Sequence, residues 1–125
     1  MAETPRVGVL APNLFLRIPL EAAIRNAGAQ PIALDAPAQA LDQNCRAVIL
    51  DLPAAGDSAP VAIASLIRAG LGVLAFGPHV EGERLAAARR AGAVVLPRGA
   101  FLSRLPELLD LALGRTSRDR KDDPG

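Results

Sequence analysis

The sequence has no Trp and no Tyr, and only three Phe, one Cys, one His and one Met in 125 residues. Without those aromatics it lacks the platforms on which proteins usually stack nucleic-acid bases. A single cysteine, Cys45, cannot form an internal disulfide and fits a reducing compartment. Net charge is equally sparse: 14 basic against 13 acidic side chains leave +1, no field for steering toward nucleic acid or membrane. No apolar run approaches the ~20 residues of a membrane span, and no basic segment followed by an apolar one opens the chain as a signal peptide would. The plain expectation is a cytoplasmic domain that binds neither nucleic acid nor membrane.

What the chain does have is aliphatic bulk and a regular rhythm. Half of the residues are hydrophobic, so the core must be built from Ala, Val, Leu and Ile. Strand-like stretches at 6–11, 31–35, 47–52, 72–76 and 94–96 alternate with helical spacing. After the first strand, Leu16, Leu20, Ala23, Ile24 and Ala27 mark one helical face, with Asn13 as N-cap and Gly28 as terminator. Pro19 must either start that helix late or bend it. A short helix fits between 36 and 44, and a longer one runs from Ser58 to Gly70, with Pro60 in its first turn. Glu81 and Glu83 open a helix that Arg89 and Arg90 close, matching the helix dipole. A fifth helix opens at Pro106 and stops at Gly114. Residues 1–114 thus read as one domain, and 115–125, charged and without apolar residues, as a disordered tail.

Five β–α units in series predict an α/β fold with a doubly wound, five-stranded parallel sheet and helices on both faces. The compact flavodoxin-like strand order 2-1-3-4-5 suits this length. In such a sheet function collects beyond the carboxyl ends of the strands. The run Ala47-Val-Ile-Leu-Asp-Leu-Pro53 delivers one carboxylate there, Asp51.

That run, the five-unit spacing and Ala91-Gly92-Ala93 leading into Val94-Val95-Leu96 resemble the receiver domain of two-component response regulators, across about residues 6–113. The resemblance implies a signalling domain in which Asp51 matches the aspartate that accepts a phosphoryl group. It also implies an acidic pair after the first strand, where this chain reads Ala11, Pro12 and Asn13. A hydroxyl residue ending the fourth strand is replaced by Gly77, and the lysine ending the fifth by Arg98-Gly99. The one lysine is Lys121, in the tail. Only Asp51 keeps the family's residue. Phosphotransfer of this kind needs Mg²⁺ held by carboxylates, so the expectation is a degenerate receiver, a pseudo-receiver that is not an enzyme and carries no metal and no cofactor.

For Asp51 two roles stand side by side: a vestigial or altered phosphoacceptor steadied by Arg98, and a cap for the loop 52–58. His79 falls on the same rim, as a solvated loop residue or a titrating group. Arg84, Arg89 and Arg90 on the fourth helix form a solvated face or a docking face. On the fifth helix, Leu105, Leu109 and Ala112 make a core stripe, and Leu108, Leu111 and Leu113 add apolar groups around it. These features predict a module that works through protein contacts, as a homodimer through its fourth and fifth units, with an unidentified protein partner. The alternatives are a phospho-accepting receiver and a small-ligand domain of flavodoxin-like fold. No P-loop, G-x-G-x-x-G or catalytic triad spacing supports the last.

Overall fold

The computed structural model describes residues 4–115, so the expected tail lies, apart from Arg115, outside the described residues. Five parallel strands form one sheet in the order β2-β1-β3-β4-β5: β1 (Arg6–Leu10), β2 (Gln30–Ala33), β3 (Ala47–Asp51), β4 (Gly72–Gly77) and β5 (Val94–Pro97). Seven helices connect and flank them: α1 (Leu14–Asn26), α2 (Gln39–Asp42), α3 (Leu52–Ala55), α4 (Ala59–Arg68), α5 (Gly82–Arg90), α6 (Arg98–Ser103) and α7 (Leu105–Ala112). The predicted fold class and strand order are those of the structure.

β3 lies at the centre, and all five of its residues are buried. Its side chains alternate between the two faces. Val48 and Leu50 enter the core beneath α2, α4 and α5, while Ala47 and Ile49 enter the one beneath α1, α6 and α7. A strand covered on both faces has no polar side to show, which is why its sequence is an apolar run up to the closing Asp51. Phe76 and Phe101 are both buried, with ring centroids 5.0 Å apart, and join β4 to α6.

Local expectations hold in part. The Asn13 side chain caps α1, accepting the Phe15 N–H at 2.9 Å. Gly28, Gly92 and Gly114 follow their helices with positive φ, the left-handed turn that glycine adopts without steric cost. α1 runs through Pro19, which has no N–H to give to the Phe15 carbonyl. Ser58 makes no side-chain cap bond to α4.

Three predictions are corrected. The segment after β3 is no open loop: α3 starts at once, and Asp51 makes no side-chain cap bond there. The fifth helix also does not spread its leucines around its surface. Leu105, Leu108, Leu109 and Leu113 are all buried in one core, leaving Leu111 as the outward leucine at 61% exposure. Leu108, expected on an interaction face, is 3% exposed and belongs to that core. Another short helix, α6, sits between β5 and α7, where the sequence predicts only a connection.

Candidate functional site

Strand register sets the rim. Leu10 pairs with Leu50 and Asp51 with Phe76, and Gly77 pairs with Pro97. Asp51 therefore stands on the middle strand of the C-terminal edge. Ala11-Pro12-Asn13 leave β1 on one side, Gly77-Pro78-His79 leave β4 on the other, and Arg98 begins α6 beyond β5.

Asp51 is 7% exposed, and its Oδ1 is fully buried with no hydrogen-bond partner. A carboxylate so placed is poorly solvated in its charged form. Burial raises its pKa above the ordinary 3.8, Arg98 pulls it back down, and Glu81 pushes it up again. Arg98 is exposed and makes no side-chain ion pair with Asp51. Its effect on the acid is that of a charge in the vicinity.

The remaining predicted rim residues divide sharply. Ala11 is buried and turns its methyl into the core under α1, while Pro12, Asn13 and His79 are exposed. The Asn13 side chain is engaged in its cap. Gly77 is buried, and a Cβ there would lie 3.1 Å from Leu85 Cδ2 and 3.8 Å from Leu52 Cβ. α5 thus packs its Leu85 over the space that a longer residue at the end of β4 would need.

Glu81 is a rim residue too, although in the sequence it stands out only as a dipole-matching acid at a helix start. It precedes α5 and pairs with Arg84 at 2.8 Å, while Arg84 reaches Asp57 at 3.3 Å. Arg84 therefore ties the loop before α4 to the start of α5. Arg89 is also occupied, donating to the Val95 carbonyl. Of the three arginines predicted for a docking face, only Arg90 has neither an ion pair nor a side-chain hydrogen bond among the described residues.

A Mg²⁺ site of the receiver type needs several carboxylate oxygens converging on one point. Here no group of three or more His, Cys, Asp or Glu side chains is placed to hold a metal among the described residues. One oxygen of the single strand-end acid is sealed in the core. The donor set does not fit the ion.

The sheet order and the placement of helices define a flavodoxin-like α/β domain. More narrowly, the chain has the fold of response-regulator receivers. It superposes on a response regulator from Thermotoga maritima with a TM-score of 0.72 at 18% identity, covering 90% of this chain and 99% of that one. A Chloroflexus aurantiacus protein described as a response regulator gives 0.73 at 18% identity, over 90% and 100% of the two chains. The receiver domain of NtrX from Brucella abortus gives 0.70 at 19%, over 86% and 98%. No family model matches the sequence, and no curated protein matches it. Among the described residues no helix is long and apolar enough to cross a membrane.

Proposed function

We propose that this chain is a pseudo-receiver, a non-catalytic signalling module that acts through protein contacts. The observation that carries the reading is the state of Asp51. One of its oxygens is sealed and unpartnered, no acidic pair stands beside it at Ala11-Pro12, and Leu85 fills the space above Gly77. A phosphoryl group on such an acid would add roughly −1.5 to −2 charge, as on other phosphorylated residues. Among the described residues, Arg98 is the cation whose charge bears on it.

Contact between two copies through the fourth and fifth units is part of this reading. With Leu108 in the core, it rests on Leu111 and Val94, 61% and 37% exposed. The test of the module is chemical: the full chain is incubated with acetyl phosphate and MgCl₂ and weighed intact. The expected outcome is an unchanged mass. A gain of one phosphoryl group that vanishes in Asp51→Asn would establish the competing reading, an altered phospho-accepting receiver that uses Arg98.

A further inference from the structure

The opposite edge of the sheet, where the strands begin, holds two arginines with no role in the fold described so far. Helices that return from the rim end at this edge, and Arg25, Arg68 and Arg90 in their last turns answer the helix dipoles. Arg6 and Arg46 belong to no helix. They sit side by side at the starts of β1 and β3, one step before the Val7–Ala47 pair, with the Arg46 N–H donating to the Arg6 carbonyl at 2.7 Å.

Like charges at paired strand positions repel each other. No acidic side chain forms an ion pair with either among the described residues. The Arg6 Nη2 donates to Gln43 Oε1 at 3.1 Å, but its Nε is buried without any partner. A guanidinium N–H withdrawn from water and left unpaired carries a desolvation penalty. Both arginines line one concave depression of about 240 Å³ together with Thr4, Pro5 and Asn44. Asn44 is held there in the left-handed conformation, φ 55°.

The lining therefore gathers two arginines, a threonine and an asparagine around one hollow, with Arg6 already spending one N–H on Gln43. Two positive charges match the −1.5 to −2 of a phosphate group. Lining residues contributed by the starts of both strands and by the turn before β3 suit a compact, doubly charged oxyanion better than a singly charged carboxylate. We propose that Thr4, Arg6, Asn44 and Arg46 form a binding site for a phosphate-bearing ligand, at the sheet edge remote from Asp51.

The test follows backbone amide NMR signals of the full chain during titration with inorganic phosphate, ionic strength being held constant with NaCl. The expected result is saturable shifts at Arg6, Asn44 and Arg46. Arg46→Gln should weaken binding about tenfold, while Arg90→Gln, a basic residue on the same edge, leaves it unchanged. A parallel titration with citrate separates carboxylate from phosphate. The site is refuted by shifts that grow linearly without saturating, by equal affinity in Arg46→Gln, or by saturation with citrate and not with phosphate. Arg46 is exposed, and the contrast between phosphate and chloride in the unaltered protein decides the matter even if the variant unfolds.

Discussion

Arg89, in the last turn of α5, donates from both Nε and Nη2 to the Val95 carbonyl, at 3.3 and 3.1 Å. Val95 is 4% exposed, so this one side chain joins helix to edge strand through a buried acceptor. Arg89→Ala is expected to lower the unfolding free energy by about 1–2 kcal/mol, since the carbonyl loses a charge-assisted bond. Arg90→Ala, its exposed neighbour, should change it by less than about 0.5 kcal/mol. Urea unfolding of the two variants checks both values.

The leucines of α7 divide the same way. Leu108→Ser removes a side chain that is 3% exposed and puts a hydroxyl in the core. A loss of about 4 kcal/mol is expected. Leu111→Ser leaves stability nearly unchanged, because its side chain faces outward. If the fifth unit mediates contact between copies, this variant lowers the average mass of a concentrated sample in light scattering. An unchanged average mass that is already monomeric in the parent protein removes the dimer from the proposal.

Gly72 opens β4 directly against the end of α7. A Cβ placed there would lie 2.5 Å from the Ala112 carbonyl oxygen and 2.9 Å from its Cα. Backbone cannot rotate away as a side chain can. Gly72→Ala is therefore expected to cost about 2–3 kcal/mol through displacement of α7 from the sheet, visible as a lower thermal midpoint. Gly82→Ala, where a Cβ meets nothing within 4 Å, is the matching control and should be neutral or slightly stabilising.

Asp51 has a sign that differs from the usual carboxylate. Its pKa is raised by burial, eased by Arg98 and raised further by Glu81, relative to the ordinary 3.8. The folded state then keeps its proton to a higher pH than the unfolded chain does. The contribution of this residue to stability is most favourable below 3.8 and declines as pH rises through the folded value. Asp51→Asn removes the charge, so the variant should exceed the parent in stability at neutral pH. That margin should shrink as the solution is acidified through the carboxylate range. Denaturation midpoints at a series of pH values read it directly, and a parent protein that outlasts Asp51→Asn at pH 7 contradicts it.

Much of the fold was legible because its signals are local. The apolar run of β3 reports a strand buried on both faces, and the positive-φ glycines Gly28, Gly92 and Gly114 mark where helices stop. The helices α3 and α6 were not legible. With four and six residues, neither is long enough for a 3.6-residue period to separate from a turn. The candidate site was legible only as an address: Asp51 at the end of the third strand. That its oxygen is sealed depends on the packing around the rim, and that Glu81 bears on it and Leu85 covers Gly77 depends on where α5 folds.

The sequence by itself determined the alternation of strands and helices, the parallel sheet and the position of its one strand-end acid. These follow from periodicity and turn chemistry within a few residues of each other. Only the tertiary structure decided which charges are engaged: Arg84 and Arg89 are bound internally, whereas Arg6 and Arg46 meet at a paired strand edge with no ion pair to an acid among the described residues. The reason is physical. Whether a charge or a leucine is free depends on what distant segments bring against it, and parallel strands place side by side residues that stand some forty positions apart, as Arg6 and Arg46 do.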